Sequence, residues 1–350
     1  MAVLAGAMML TGCASLGPRS VAVDRFDYST AIADSWKQQT LLNIVKLRYM
    51  DLPVFVDVSS IVAGYSMQTG LSANGVVSKE SVQGNYLSAG GQAIYTDRPT
   101  ITYVPMTGER FMRGLLAPID PKSIFSLLQS GYPADFILAL TVESLNGLRN
   151  RSINSGVVRE ADPGFIRAME LLRDVQAAGA VGMRLVEDKG KGQFAVLFFR
   201  RDNLDAGTRE KMTEIRTLLG LAQDQEKFTL VFSPARGAEG ELAVNSRSMI
   251  QILGSFSGYL DAPEEHLREH SVLPAFESAL ADSSEDRPRI HSSKEKPDHA
   301  YAAVRYRGYW YWIDDSNLKA KRAITAVVFF FTLAETGSNE QRPVITIPAQ

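Results

Sequence analysis

The chain has 350 residues, of which 45% are hydrophobic and 22% charged, and this is the composition of a folded protein long enough for two domains. Its formal net charge of -2 provides no basic field for nucleic acid, and its single cysteine excludes a disulfide within the chain. No apolar run approaches the ~20 residues that a membrane-spanning helix requires.

The first residues of the chain predict a signal peptide that ends at this cysteine. An apolar run, Ala2 to Met9, precedes the small residues Thr11 and Gly12, which is the order that secretory signals need. Leu10-Thr11-Gly12-Cys13 resembles the lipobox of bacterial lipoproteins, in which Leu, a small residue and Gly or Ala precede a lipidated cysteine.

The lipobox resemblance has consequences for location. It implies that the Cys13 thiol receives a diacylglycerol, that the signal peptide (residues 1–12) is removed, and that the new terminus is acylated. Because Ala14 follows the cysteine where a retention signal commonly has aspartate, the resemblance implies a lipid-anchored outer-membrane protein that faces the periplasm. The alternative is an apolar N-terminal arm that carries an unmodified cysteine.

An N-terminal helix is predicted to follow a short tether. Residues 13–27 are assigned to the tether because Gly17 and Pro18 lie within them. From Tyr28 to Tyr49 apolar residues recur at helical spacing, and Pro53 lies just beyond the end of the pattern. This helix is expected to pack against the body of the protein.

Residues 54–104 predict a long β-hairpin. The strand that opens at Val54–Val56 leads into alternation from Ile61 to Ala73, with apolar residues at odd positions and small polar residues or glycine at even ones. Asn74-Gly75 predicts the turn. The returning strands are predicted at Val82–Asp97 and Thr100–Val104.

Two interpretations of this hairpin stay open at this point. Alternating strands are mostly half-buried sheet, which favours a β-arm that packs on its own domain or extends toward a partner protein. Long strands with apolar residues on one face and small polar residues on the other also resemble strands of outer-membrane proteins. One hairpin would leave its edges unpaired in lipid, so a channel would need several subunits that each donate a hairpin.

Short helices and a second domain complete a predicted α+β fold. Helices are predicted at Gly108–Leu116, Pro121–Gln129 and Pro133–Leu148, within a first domain of residues 28–155. The polar segment Asn150–Pro163 predicts the boundary to a mixed α/β domain of residues 160–350. Its helices are predicted at Phe165–Ala178, Asp205–Leu221 and Ser246–Tyr259, and its first strands at Val181–Val186, Phe194–Phe199 and Phe228–Phe232.

The C-terminal part of this domain predicts an aromatic hairpin and then a buried helix. A polar surface loop near residues 282–299 leads into the hairpin. Asp314 and Asp315 are candidate caps for a helix from Asn317 to Glu335, which is apolar nearly all round in its second half. The strands of this part are predicted at Tyr301–Tyr306, Tyr309–Ile313 and Val344–Ile347.

The aromatic hairpin is the strongest candidate for a ligand-binding surface. Alternation places Tyr309 and Tyr311 on one face. Trp310 and Trp312 then lie on the other. One face would pack under the apolar helix and the other could stack on a glycan or peptide, while the alternative is that both faces are structural. The candidate residues are Arg305, Arg307, Tyr309, Trp310, Tyr311 and Trp312.

Other polar clusters are better explained by structure than by chemistry. His266 and His270 have the spacing of zinc ligands, but Leu267 stands where metalloprotease helices carry glutamate. A charged, solvated helix is therefore favoured there. Residues 188–192 are favoured as a hairpin turn over a cradle for an anion. We predict no catalytic residue, no metal ligand and no cofactor.

The sequence therefore predicts a lipid-anchored envelope protein with a binding, scaffolding or assembly role. Its expected partners are the membrane, through the lipid on Cys13, and other envelope proteins or further copies of itself, but not nucleic acid. The first alternative is an oligomeric outer-membrane channel or export component that uses the hairpin of residues 54–104. The second is an envelope hydrolase acting on glycan or peptide, with candidate residues Glu264, Glu265, His266, Asp314 and Asp315.

Overall fold

The computed structural model describes residues 16–62, 65–76, 86–154, 157–188, 192–200, 202, 204–274 and 288–335. The predicted signal peptide, the candidate lipidation site Cys13 and the predicted strand at Val344–Ile347 lie outside the described residues. The fold is α+β, as predicted, with an N-terminal helix. The chain divides into two compact units, one of residues 54–107 and one of residues 1–53 with 108–350.

The helices of the described residues are α1 (Leu16–Arg48), α2 (Gly108–Leu116), α3 (Pro121–Gln129), α4 (Ala134–Thr141), α5 (Pro163–Ala177), α6 (Ala206–Leu219), α7 (Met249–Ser257), α8 (Glu264–Arg268) and α9 (Leu318–Glu335). Within these residues, no helix combines the length and the hydropathy that crossing a membrane would require.

The strands of the described residues are β1 (Phe55–Val62), β2 (Tyr65–Val76), β3 (Tyr86–Asp97), β4 (Thr100–Met106), β5 (Val142–Leu145), β6 (Leu148–Arg149), β7 (Ser152–Asn154), β8 (Val157–Arg159), β9 (Val181–Asp188), β10 (Gly192–Phe199), β11 (Lys227–Phe232), β12 (Glu241–Ser246), β13 (His291–Ser293), β14 (Ala300–Tyr306) and β15 (Tyr309–Asp314).

Helix α1 begins at Leu16, well before the predicted start at Tyr28, so residues 16–27 of the predicted tether are helical. Pro18 did not prevent this, because it lies in the first turn, where the missing N–H of proline is not needed. The C-terminal half of α1 is buried in the core through Leu41 and Ile44. It packs on α7, α9 and β14, as expected for a structural helix.

A six-stranded sheet in the order β6-β5-β12-β11-β10-β9 forms the centre of the larger unit. Strands β11 and β12 are parallel, and the other neighbours are antiparallel. Helices α3 and α5 pack on this sheet, and α6 packs on α5. The predicted domain boundary at Asn150–Pro163 is wrong, because β5 and β6, which precede it, pair in one sheet with strands that follow it.

The predicted helix over Pro133–Leu148 ends at Thr141, because the chain turns there into β5. Asn146 and Gly147 then form a two-residue turn, with φ angles of 46° and 92°. This is the type of turn that Asn-Gly favours between two strands. Strand β12 and the short pair β7 and β8 were also not predicted from the sequence.

The smaller unit is a long antiparallel hairpin. Strand β1 pairs with β4, and β2 pairs with β3. Val62 lies opposite Thr100 and Tyr65 opposite Asp97, so the β2–β3 ladder continues the register of Ser60–Val62. An irregularity between Val58 and Ser60 shifts the register of the β1–β4 ladder by one residue before that point. We call these four strands the β-ribbon (residues 55–62, 65–76, 86–97 and 100–106).

The turn predicted at Asn74-Gly75 is wrong. Both residues lie within β2, where Asn74 pairs with Ser88 and Gly75 with Leu87. The ladder continues to the pair of Val76 and Tyr86, so the backbone pairing of the two legs outweighs the local turn preference of Asn-Gly.

The C-terminal part of the larger unit is a three-stranded sheet in the order β13-β15-β14, followed by α9. Strand β13 lies inside the predicted polar loop at 282–299, of which the residues up to 287 are outside the described range. Helix α9 buries Ile324, Val327 and Phe330, whereas Phe329 is 39% exposed. The helix is therefore covered on most of its circumference but not on all of it.

Candidate functional site

The aromatic hairpin consists of β14, a tight turn and β15. Tyr306 pairs with Tyr309 at the end of the ladder, and Arg307 and Gly308 form the turn with φ angles of 43° and 86°. Both turn residues are in the left-handed region, which glycine adopts without penalty and which hairpin turns of this type require. Strand β13 pairs with the other edge of β15, so β15 is the central strand of the sheet.

The tyrosine face of the hairpin is buried against the end of α1. Tyr311 is fully buried, and its hydroxyl lies 2.5 Å from the hydroxyl of Tyr49. The Tyr49 hydroxyl also lies 2.6 Å from Nδ1 of His266, on α8. Burial raises the pKa of both phenols above the usual value, and most strongly that of Tyr311, so both groups are neutral hydrogen-bonding partners.

Aromatic rings stack edge to face around this hydrogen-bonded group. The ring centroids of Tyr49 and Tyr311 are 6.4 Å apart, and those of Tyr49 and His266 are 5.6 Å apart. The ring of Tyr309 lies 5.0 Å from His266. These separations are in the range of favourable aromatic pairs, so the group is part of the hydrophobic core as well as a polar network.

Two charged residues, Asp51 and Arg307, interact at the edge of the tyrosine face. Asp51 accepts hydrogen bonds from the Tyr306 hydroxyl and, at 2.9 Å, from the Arg307 guanidinium. The hydrogen bond from Tyr306, and then the nearby positive charge of Arg307, hold the pKa of Asp51 below its usual value. The Arg307 guanidinium also lies 4.8 Å from the centroid of the Tyr49 ring, within cation–π range.

A second carboxylate is held at the edge of the hairpin. The Tyr309 hydroxyl donates to Glu265 at 2.8 Å, and the Lys294 ammonium lies 3.5 Å from the same carboxylate. These two contacts lower the pKa of Glu265, with the hydrogen bond from Tyr309 contributing most.

The predicted solvated helix at Glu264–His270 is wrong for His266, which is buried between Tyr49 and Tyr309. His266 and His270 also do not share one helix face, although their spacing of four residues would place them there in a continuous helix. Helix α8 ends at Arg268, and His270 has a left-handed φ of 55° and is exposed. The described residues contain no cluster of three His, Cys, Asp or Glu side chains that could hold a metal ion.

The tryptophan face is half-exposed. Trp310 and Trp312 are central in the sheet, and each has a residue of β13 and of β14 beside it. Trp312 packs against His291, with ring centroids 5.3 Å apart. Lys296 lies 5.5 Å over the Trp310 ring, and the exposed Arg305 pairs with Trp310 in the ladder. This face therefore offers two partly accessible indole rings, of which Trp310 has the cationic neighbours Lys296 and Arg305.

The candidate acids of the hydrolase hypothesis lie in structural positions. Asp314 accepts hydrogen bonds from the Ser316 backbone and hydroxyl at 2.8 and 2.6 Å. Asp315 forms an ion pair with Lys321 at 2.7 Å, and the side chain of Asn317 accepts from the first turn of α9. The three acids Asp314, Asp315 and Glu265 are thus held by neighbouring groups.

Sequence reasoning did not find Tyr49 and Asp51, the two residues that the segment after α1 brings to the hairpin. Their positions in the chain carry no local signal, because their partners in the hairpin follow 255 or more residues later.

Comparison of the chain with protein-family models, with curated proteins and with solved structures found no match. No similar protein therefore assigns an activity to the aromatic hairpin or to the β-ribbon.

Proposed function

We propose that the protein is a lipid-anchored envelope protein with an assembly role, and that copies of the chain associate through the β-ribbon. The observation that supports this proposal is the number of large apolar side chains that the ribbon exposes. These are Val62 (40% exposed), Ile94 (43%), Ile101 (38%), Tyr103 (61%) and Val104 (47%). Exposed apolar groups of this density are typical of surfaces that become covered in an assembly.

The architecture of the ribbon supports the same conclusion. Among the residues that the structure describes, β1 with β4 and β2 with β3 are two-stranded sheets. An isolated two-stranded hairpin is marginally stable in water, and its outer edges are templates for a further strand. Addition of strands from other molecules would stabilise the ribbon through backbone hydrogen bonds and through burial of the exposed side chains.

A second copy of the chain is the partner that fits this surface. Each ribbon has two edges, one along β1 and β2 and one along β3 and β4, so one copy can pair with a neighbour on either side. Repeated contacts between two different edges of identical subunits generate rings when the rotation closes. The predicted lipid on Cys13 would hold the copies at one membrane surface and raise their local concentration.

A specific observation also favours a second candidate function, an oligomeric channel or export component. Strands β2 and β3 have 12 residues each, which exceeds the ~9–11 residues that a tilted strand needs to cross a bilayer. Odd-numbered positions of β2 pair with odd-numbered positions of β3, so the alternating patterns of the two strands coincide. The exposed even positions include the polar Gln68, Ser72 and Gln92 and the apolar Ile94, so this side of the two strands is mainly polar, which suits a wall with one polar side.

The mass of the purified full-length protein in mild detergent, measured by light scattering after size exclusion, tests the assembly. We expect a stable oligomer for the wild type and a monomer for the double variant Ile101→Asp, Val104→Asp. The matched control is Ile166→Asp on α5, since Ile166 is 52% exposed outside the ribbon. A monomeric wild type, or an oligomer that the double variant retains, would overturn the proposal.

Metabolic labelling with a radioactive fatty acid tests the anchor separately. The wild type should incorporate label and fractionate with the outer membrane, and the variant Cys13→Ser should do neither. Leakage of a small dye from proteoliposomes then separates the two candidate functions. Leakage that the Ile101→Asp, Val104→Asp variant loses supports the channel, while an oligomer that leaves vesicles intact supports assembly alone.

A further inference from the structure

A cavity of about 510 Å³ opens in the larger unit between α4, α7 and α9. Its volume lies within the ~300–1,000 Å³ of typical small-molecule sites. The three helices line it with apolar side chains, among them Phe136, Leu140, Phe256 and Ala323. An apolar group of a ligand would find matching walls there.

Basic side chains dominate the polar part of the lining. Among the described residues, the lining contains one carboxylate, that of Asp135, and five cationic residues. The five are Arg151, Arg173, Arg247, Lys319 and Arg322. The excess of positive charge gives the cavity a potential that attracts anions and repels cations.

Existing ion pairs neutralise part of this charge. Arg173 lies 3.2 Å from Asp135, so the carboxylate of the lining is already engaged. Arg247 is buried, donates to Glu143 at 3.0 Å and also binds backbone carbonyls, so it contributes charge but serves the fold. Arg151 lies 3.6 Å from Glu160 through its Nε. Arg322 differs, because no carboxylate of the described residues lies within ion-pair distance of its guanidinium.

Two of the guanidinium groups are positioned by aromatic rings. Arg322 lies 5.6 Å from the centroid of Phe136. Arg151 donates to the Tyr259 hydroxyl at 2.7 Å and lies 5.6 Å from the centroid of the same ring. A planar guanidinium held on an aromatic face keeps its N–H donors in a fixed fork, which matches the oxygens of phosphate or carboxylate.

We infer that this cavity binds a small amphipathic anion, in which a phosphate or carboxylate is attached to an aromatic or short aliphatic group. The anionic group contacts Arg322 and Arg151, and the apolar group packs between Phe136 and Phe256. Both parts are needed for affinity, because the cations supply the charge complementarity and the helices supply the apolar wall.

Calorimetric titration of the full-length protein tests this inference, with phenyl phosphate as the probe. Inorganic phosphate provides the anion alone, and benzyltrimethylammonium provides a ring with the opposite charge. We expect saturable binding of phenyl phosphate at one site, at least tenfold weaker binding of inorganic phosphate, and no binding of benzyltrimethylammonium. Equal affinity for the two ring compounds would overturn the inference, as would the absence of phenyl phosphate binding.

Variants locate the site. Arg322→Glu should weaken phenyl phosphate binding at least tenfold, whereas Arg209→Glu, an equal charge change on the exposed surface of α6, should leave it within twofold. Thermal unfolding checks that Arg322→Glu is folded, and Arg322→Gln replaces it if it is not. Binding that both Arg322 variants retain at the wild-type level places the anion elsewhere and overturns the inference.

Discussion

The hydroxyl groups of Tyr49 and Tyr311 share a hydrogen bond of 2.5 Å although the two residues are 262 positions apart in the chain. The contact joins the residue that follows the first helix to the central strand of the last sheet. Because both residues are buried, the hydrogen bond is shielded from water. The Tyr311 hydroxyl has the Tyr49 hydroxyl as its partner, whereas the Tyr49 hydroxyl also contacts Nδ1 of His266.

Removal of one hydroxyl from this pair should destabilise the larger unit. Tyr311→Phe keeps the ring and deletes the hydrogen bond, so we expect a loss of about 1–2 kcal/mol in the free energy of unfolding. Urea unfolding followed by circular dichroism measures it. The control is Tyr132→Phe, because the Tyr132 side chain is 36% exposed. Equal stability of the two variants would show that the hydroxyl pair contributes nothing.

The acid side of the stability profile should depend on Asp51. Its pKa is lowered in the folded state by the hydrogen bond from Tyr306 and by Arg307, so the unfolded state binds the proton more tightly. The contribution is therefore complete above the ordinary aspartate pKa of about 3.9 and is lost as pH falls through the lower folded value.

The variant Asp51→Asn tests this dependence. It should reduce stability near neutral pH by less than about 1 kcal/mol, since the ion pair with Arg307 is partly exposed. The difference from the wild type should shrink as pH falls below about 4, because the wild-type carboxyl then becomes protonated. Unfolding midpoints of both proteins, measured from neutral pH to below about pH 4, check this prediction. A difference between them that stays constant over these pH values would show that the Asp51 carboxylate is not the group responsible.

A side chain added at Gly147, in the turn of Asn146 and Gly147, should act through backbone strain and not through a steric clash. Gly147 has a φ of 92°, and a Cβ atom added there would meet nothing within 4 Å. Gly147→Ala should therefore destabilise the protein through backbone strain alone, by about 1 kcal/mol or more. Gly114→Ala is the matched control, since a Cβ there also meets nothing, but within helix α2 it should stabilise by about 0.5–1 kcal/mol. Chemical unfolding of both variants should give opposite signs.

The two Asn-Gly pairs show what sequence patterns could and could not establish. The pair at 74–75 lies in a strand, and the pair at 146–147 forms a turn where the sequence predicted a helix. The difference is set by long-range contacts. The Asn146 side chain donates to the Leu219 carbonyl at 2.5 Å and accepts from the Gly237 backbone at 2.9 Å, and neither partner is near in sequence.

The alternation of side chains along strands predicted local structure more reliably than the Asn-Gly turn signals did. Alternation predicted β14 and β15 to within one residue, and it separated the buried Tyr311 from the half-exposed Trp310 and Trp312. The partners of these residues, Tyr49 and His266, could not be predicted, because a local pattern does not say which distant helix covers a strand.

The buried Arg247 side chain connects the predicted domain boundary at Asn150–Pro163 to the rest of the larger unit. Arg247 donates to Glu143 and to the backbone carbonyls of Ala139, Leu140 and Arg151, so it fastens this segment to the start of α7. Arg247→Met would leave these acceptors without their donor in a buried site. We expect a loss of about 3–5 kcal/mol in the free energy of unfolding.

Arg173→Met provides the matched comparison for Arg247→Met, since its side chain is 50% exposed and its ion pairs with Asp135 and Asp174 are on the surface. Exposed pairs contribute little, so Arg173→Met should unfold close to the wild type. Proteolysis under native conditions adds a structural readout. Cleavage between residues 150 and 163 should increase in Arg247→Met and stay at the wild-type level in Arg173→Met. Equal cleavage of the two variants would mean that Arg247 does not hold the segment in place.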